Sequence, residues 1–110
     1  MSGILSGSTS GRAPEIEEVT TAELRRWLAE GRDVQIVDVR EPAEHEVSHL
    51  PGSVLIPLGQ VIARRAEIDP ARVVVMQCRS GIRSAKAIEQ LRAAGHTGRL
   101  LNLAGGILAW

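Results

Sequence analysis

Apolar residues of the chain gather into short runs whose length and composition predict β-strands. The most apolar run, residues 72–77, holds four apolar residues in succession from Val73 to Met76. Such a continuous stretch is typical of a strand that is buried on both faces of a parallel sheet. Further runs rich in β-branched or aliphatic residues predict strands at 16–19, 34–39, 53–56 and 99–103.

Between these runs the apolar residues recur every three or four positions, which is the spacing of one face of a helix. Ala85, Ile88 and Leu91 recur on one face, which predicts a helix over residues 84–94. Further helices are predicted at 20–31, 42–46 and 58–68, the first of them opening on a capping box.

Strands that alternate with helices predict an α/β fold, a three-layer sandwich with a mainly parallel central sheet of about five strands flanked by helices. We expect this domain to cover residues 15–110. Residues 1–14 contain four Ser and three Gly, a composition typical of a flexible linker or an expression tag. Parallel sheets bind ligands beyond the carboxyl ends of their strands, and Cys78 follows directly after the most apolar strand.

Composition and charge narrow the range of partners. Thirteen basic and thirteen acidic residues cancel, and Trp27 and Trp110 are the only Trp, Tyr or Phe side chains. Neither nucleic acid nor an anionic membrane is therefore expected as a partner. No apolar run approaches the ~20 residues that a membrane-spanning helix needs. Because its one cysteine, Cys78, cannot form an internal disulfide, we expect a cytoplasmic protein with a reduced thiol.

The candidate chemistry is concentrated in the Cys78 loop, residues 78–84, whose sequence is Cys-Arg-Ser-Gly-Ile-Arg-Ser. A loop between a strand and a helix points several backbone N–H groups into one concavity, and Gly81 permits backbone angles that a side chain would disfavour. From Cys78 through Lys86 the chain carries three cations, Arg79, Arg83 and Lys86, and no acid. These features stabilise a thiolate or a persulfide on the sulfur. On the residues alone, an inert buried cysteine remains an alternative.

The Cys78 loop resembles the active-site loop of rhodanese-family sulfurtransferases, and the resemblance extends over residues 16–110. Residues 37–41 (Val-Asp-Val-Arg-Glu) and 49–53 (His-Leu-Pro-Gly-Ser) resemble the first motif region of that family. Residues 102–110 (Asn-Leu-Ala-Gly-Gly-Ile-Leu-Ala-Trp) resemble its closing motif. The resemblance implies a rhodanese-like fold and a sulfurtransferase activity that uses no cofactor and no metal.

By this resemblance Cys78 is the nucleophile that carries sulfane sulfur as a persulfide. The residues that would surround the sulfur are the rest of the loop: Arg79, Ser80, Gly81, Ile82, Arg83 and Ser84. The guanidinium groups of Arg79 and Arg83 suit an oxyanion donor such as thiosulfate. The implied donor is a small sulfur compound or a persulfide-bearing protein, and the implied acceptor is a sulfur-carrier protein or a thioredoxin-like thiol.

Two charged residues outside the loop are candidates for a supporting role. Asp38 and Arg40 end a strand on the side of the sheet that holds Cys78. We interpret them, together with the nearby Glu44, as an ion-pair brace for the loop. No metal site is expected, because we find no ligand spacing among the three histidines: His45, His49 and His96.

Three other functions remain open at the level of sequence. Phosphatases and arsenate reductases related to this family hold an oxyanion in a loop of Cys, five residues and Arg, whereas four residues separate Cys78 from Arg83. The shorter loop leaves little room for phosphate. A non-enzymatic interaction module would typically have lost the cysteine. The loop and the closing motif also resemble the rhodanese domain of adenylyltransferases that activate sulfur-carrier proteins, so the chain could be a sulfur-relay domain of a larger protein.

Overall fold

The structure, a computed structural model, describes residues 16–110 as an alternation of strands and helices. The strands are β1 (Glu18–Val19), β2 (Val34–Asp38), β3 (Val54–Leu55), β4 (Val73–Gln77) and β5 (Leu100–Leu103). The helices are α1 (Thr21–Ala29), α2 (Pro42–Val47) and α3 (Ile82–Ala93), with 3-10 turns at Leu58–Gln60, Arg65–Glu67 and Gly106–Ala109. The predicted flexible segment at 1–14 lies outside the described residues.

All five strands run parallel in one sheet, in the order β1-β5-β4-β2-β3. β4 lies at the centre and pairs with β2 over its whole length, from Val34 opposite Val73 to Asp38 opposite Gln77. This arrangement confirms the predicted α/β sandwich with a parallel central sheet. Within residues 16–110 no helix is long and apolar enough to cross a membrane.

Side chains of β4 alternate between two apolar clusters, one on each face of the sheet. Val74 and Met76 pack in the cluster that contains Ile88 and Leu91 of α3. Val75 packs on the opposite face, in the cluster to which α1 contributes. A strand covered on both faces favours apolar side chains, which explains the apolar run from Val73 to Met76. The last residue of the strand, Gln77, is buried as well, and its side chain donates to the carbonyl of Cys78 at 2.9 Å.

The continuous helix predicted at 58–68 is wrong, because this segment forms two separate 3-10 turns. Val61 and Ile68 are both buried, whereas Arg65 is exposed. In one unbroken helix Arg65 would share a face with both apolar residues, since side chains three and four positions apart lie together. Breaking the helix lets the two apolar side chains reach the core while the charged residue stays in water.

Candidate active site

The Cys78 loop connects the carboxyl end of β4 to the start of α3. Cys78 is 1% exposed, and its Sγ accepts a hydrogen bond from the Gly81 N–H at 3.0 Å. Gly81 is the residue that precedes the helix, and its φ of 107° lies in the left-handed region that favours glycine. This backbone conformation turns the chain back toward the sulfur and aims the N–H groups of the loop at it.

The surroundings of Cys78 favour its thiolate. Burial raises the pKa of the thiol, but hydrogen bonds from the Ser84 hydroxyl and from the backbone N–H groups of Ser84, Gly81 and Ser80 outweigh it. The pKa of Cys78 therefore lies below its ordinary value of 9.0. A thiolate is the form of cysteine that attacks another sulfur.

A buried asparagine, which sequence analysis placed only in the closing motif, is joined to the loop. Asn102 Oδ1 lies 2.5 Å from Ser84 Oγ, and Asn102 Nδ2 donates to the carbonyl of Gly81 at 3.0 Å. Ser84 Oγ also lies 3.3 Å from Cys78 Sγ. A hydroxyl has one proton, so Ser84 donates to the sulfur or to Asn102, and not to both. The single polar residue in the apolar run Leu-Leu-Asn-Leu was the signal that could have identified it.

The 3-10 turn Gly106–Ala109 supports the loop from behind through backbone contacts. Ile107 N–H donates to the carbonyl of Cys78 at 2.9 Å, and Leu108 N–H donates to that of Arg79 at 3.1 Å. Gly106 packs so closely that an added Cβ would come within 2.5 Å of the Cys78 carbonyl oxygen. The closing motif of the sequence is therefore a structural part of the candidate site.

Arg83 forms an ion pair with Glu44 of α2 that sequence analysis did not foresee. Its two terminal nitrogens donate to the two carboxylate oxygens of Glu44 at 2.8 and 2.9 Å. Glu44 Oε2 also accepts the Glu41 N–H at 2.9 Å. The Arg83 pairing, followed by the Glu41 hydrogen bond, lowers the pKa of the Glu44 carboxyl to about 2. Each terminal nitrogen of Arg83, which we expected to face an oxyanion donor, thus already gives one N–H to a carboxylate.

The other side chains of the loop point away from the protein interior. Arg79, Ser80 and Ile82 are exposed. Within the described residues the side chain of Arg79 makes no hydrogen bond and no ion pair. Of the two loop arginines, Arg79 is therefore the one whose guanidinium is open to a ligand.

Asp38 and Arg40 form a buried ion pair, but Glu44 is not part of it. The Asp38 carboxylate accepts from Arg40 Nε at 2.9 Å and from Arg40 Nη2 at 2.8 Å, and His45 Nδ1 lies 2.9 Å from it. Burial raises the pKa of Asp38, but these donors hold it below its ordinary value. Arg40 also donates to the carbonyl of Ser48 at 2.7 Å. The expected brace with Glu44 is corrected accordingly: the pair holds α2, and α2 in turn presents Glu44 to the loop.

Residues 45–49 read His-Glu-Val-Ser-His, a spacing that ligates zinc on a continuous helix and that the sequence analysis overlooked. In the structure α2 ends at Val47, and the rings of His45 and His49 stack face to face with centroids 4.0 Å apart. Each Nδ1 is bound within the protein, at Asp38 and at the His45 carbonyl. Among residues 16–110 no three His, Cys, Asp or Glu side chains are grouped so as to hold a metal ion.

Comparison with known proteins places these features in a family context. A family profile described as Rhodanese-like domain matches residues 20–110. The chain is 41% identical over 95 residues to a sulfurtransferase of Allochromatium vinosum, covering 86% of this chain and 88% of that protein. It is 35% identical over 103 residues to the probable adenylyltransferase/sulfurtransferase MoeZ of Mycobacterium tuberculosis, covering 92% of this chain and 26% of that protein. A crystal structure of a rhodanese-like domain protein from Staphylococcus aureus matches with a TM-score of 0.80 at 34% identity, covering 86% of this chain and 91% of that one.

Proposed function

The chain belongs to the rhodanese-like family, and on that premise we propose that it is a sulfurtransferase that carries sulfane sulfur as a persulfide on Cys78. The observation that carries the proposal is the set of donors around the buried sulfur: the Gly81 N–H at 3.0 Å, the backbone N–H groups of Ser80 and Ser84, and the Ser84 hydroxyl at 3.3 Å when its proton is turned to the sulfur and not to Asn102. They favour the thiolate that attacks a donor, and they can also hold the anionic terminal sulfur of a persulfide.

The proposed cycle has a loading step and an unloading step. In the first, the Cys78 thiolate attacks the sulfane sulfur of the donor, and the donor's own bond to that sulfur breaks with its electron pair on the leaving group. In the second, a thiolate or cyanide attacks the terminal sulfur of the persulfide, and Cys78 leaves as a thiolate. Each step exchanges one bond to sulfur for another, so the cycle balances without an added oxidant or reductant. The proposed setting is the cytoplasm, where such a thiol stays reduced.

A second candidate function is a sulfur relay within or beside a larger protein. It is supported by the similarity to MoeZ, of which the matched part makes up 26%. In a relay the donor would be a protein persulfide and the acceptor a sulfur-carrier protein. The Cys78 chemistry is the same in both functions, so they differ only in the partners.

Two features argue against the remaining alternatives. A phosphatase would need room for phosphate and Arg83 to hold it, but only four residues separate Cys78 from Arg83, and one edge of that guanidinium is already bound to Glu44. An inactive interaction module has no need for the donors around Cys78. We therefore rank both below the sulfurtransferase.

Intact-protein mass spectrometry after incubation with sulfane-sulfur donors tests the proposal. The expected result is a gain of one sulfur atom that cyanide removes and that Cys78→Ser lacks, with unchanged circular dichroism for that variant. The donors are thiosulfate, benzenethiosulfonate and a persulfide-loaded cysteine desulfurase. If none of them adds sulfur to the wild-type protein, the proposed function is wrong and Cys78 is a structural residue.

A further inference from the structure

The charge around Cys78 differs from the charge that the sequence of the loop suggests. From Cys78 through Lys86 the chain carries three cations and no acid. The fold adds an acidic partner from another part of the chain, because α2 brings Glu44 against Arg83. The Glu44 carboxylate thereby offsets one of these positive charges, that of Arg83 in the first turn of α3.

The Glu44–Arg83 pair is bidentate, and its carboxylate is held by a further hydrogen bond. Both terminal nitrogens of Arg83 are bound at 2.8 and 2.9 Å, and Glu44 is fixed in turn by the Glu41 N–H at 2.9 Å. The Glu44 pairing raises the pKa of the Arg83 guanidinium, and the charges of a Cys78 thiolate and of Glu41 add to this effect. Glu44 takes one N–H from each terminal nitrogen of Arg83, so a ligand oxyanion that used the same edge of the guanidinium would have to displace a carboxylate that stays ionised at any physiological pH.

We propose that Glu44 is a specificity-determining residue that, by holding Arg83, disfavours doubly charged donors such as thiosulfate and favours sulfane-sulfur donors with a single negative charge. The inference rests on the proposed function of Cys78. Arg79 is the loop cation left open to the donor, and one cation matches one negative charge. A dianion that displaced Glu44 would leave this carboxylate unpaired beside it, and the like charges would repel each other.

Thiosulfate and benzenethiosulfonate form a matched pair of donors for testing the role of charge. In both cases the Cys78 thiolate bonds to the outer sulfur, and the bond from that sulfur to the oxidised sulfur breaks. The electron pair leaves on sulfite, which has two charges, or on benzenesulfinate, which has one. Because the bonds made and broken are the same, a change in the ratio of kcat/KM for the two donors reports on how the site treats charge.

The experiment measures that ratio, thiosulfate over benzenethiosulfonate, with cyanide as the common acceptor. In Glu44→Gln we expect it to rise about tenfold, the effect of one charge-assisted hydrogen bond to the donor. Glutamine still accepts the Glu41 N–H, but its amide cannot hold Arg83 with two oxygens. The gain should fall on KM for thiosulfate, since Arg83 would bind oxygens remote from the reacting sulfur.

Two further variants test whether Arg83 causes the change in the donor ratio. The double variant Glu44→Gln with Arg83→Ala should lose the gain, because Arg83 mediates it. Glu17→Gln is the matched control, since it breaks a similar carboxylate–guanidinium pair with Arg99 (2.6 Å) where β5 begins, at the edge of the sheet opposite Cys78. Its ratio should equal that of the wild type. If Glu44→Gln does not fold, Glu44→Ala replaces it.

The outcomes separate this inference from the proposed function. Turnover of both donors by the wild type with an unchanged ratio in the Glu44 variants would overturn the inference and leave the Cys78 chemistry standing. A gain that survives removal of Arg83 would overturn it as well. Absence of turnover and of persulfide loading with every donor would refute the proposed function, and the inference with it.

Discussion

The hydroxyl oxygen of Ser84 lies 3.3 Å from the sulfur of Cys78, and both residues are buried. Ser84 is therefore placed to donate a hydrogen bond to the thiolate in an environment from which water is largely excluded. Hydrogen bonds to a charged group are stronger there than in water, so the hydroxyl contributes to the lowered pKa of Cys78.

Removing this hydroxyl should make Cys78 less reactive at neutral pH. We expect Ser84→Ala to raise the pKa of the thiol, because the thiolate would lose a hydrogen bond to a charged group. The pH profile of alkylation by iodoacetamide should shift to higher pH. Ser53→Ala is the matched control, because the Ser53 hydroxyl bonds the Leu50 carbonyl at 2.8 Å and does not contact the loop. If the pH dependence of alkylation is the same in Ser84→Ala as in the wild type, the backbone N–H groups alone lower the pKa of Cys78.

Adding a methyl group at Gly106 should disturb both stability and loading. The new Cβ would meet the backbone of Cys78 and Arg79, which cannot move aside as a flexible side chain could. We expect Gly106→Ala to lower the free energy of unfolding by about 2 kcal/mol or more, measured by urea denaturation, and to slow persulfide formation. Gly31→Ala provides the comparison, since Gly31 also has a positive φ, 74°, but has open space around it. Equal losses for the two variants would show that the close approach to the loop has no effect beyond backbone strain.

Breaking the buried Asp38–Arg40 pair should be far more damaging than breaking a surface pair. In Asp38→Asn the Arg40 guanidinium, only 5% exposed, loses its counter-charge, and we expect a loss of about 3 kcal/mol or more in the free energy of unfolding. In Asp33→Asn the partner Arg72 remains in contact with water, and the loss should be about 0.5 kcal/mol or less. Similar losses would indicate that Arg40 finds another partner in the folded protein.

The Glu44–Arg83 pair also predicts how stability depends on pH. The pKa of Glu44 is about 2 in the folded protein, against 4.5 without the pairing. A carboxyl with a depressed folded-state pKa contributes stability that is complete above 4.5 and is lost as the pH falls toward 2. Between those limits the free energy of unfolding should decrease less steeply in Glu44→Gln than in the wild type. Parallel curves for the two proteins would show that the pair does not stabilise the fold.

The sequence was sufficient to predict the sheet because the signals for it are local. The apolar residues Val74, Val75 and Met76 of β4 are buried, on alternating faces of the sheet, and this environment favours an apolar residue at each position. The left-handed backbone of Gly81 was predictable for the same reason, since only its own residue type and its place before a helix were needed.

The partners of the charged residues could not be predicted in this way. Glu44 and Arg83 are 39 residues apart, and their contact depends on where α2 packs against the start of α3. Sequence analysis grouped Glu44 with Asp38 and Arg40 because they are neighbours along the chain, whereas His45 takes the position beside Asp38. Asn102 was missed for a related reason, because its link to Gly81 spans 21 residues.

The hydrogen bonds from Ile107 and Leu108 to the loop have a consequence for the newly made protein. A nascent chain that extends only through α3 already contains Cys78 but lacks the backbone donors behind it, and it also lacks Asn102. The donors that lower the pKa of Cys78, on Ser80, Gly81 and Ser84, are already part of such a chain. The backbone bonds that hold the carbonyls of Cys78 and Arg79 form only after β5 and the turn that follows have been translated and have folded against the loop. The groups that face the sulfur are therefore made first, and the support behind them is made last.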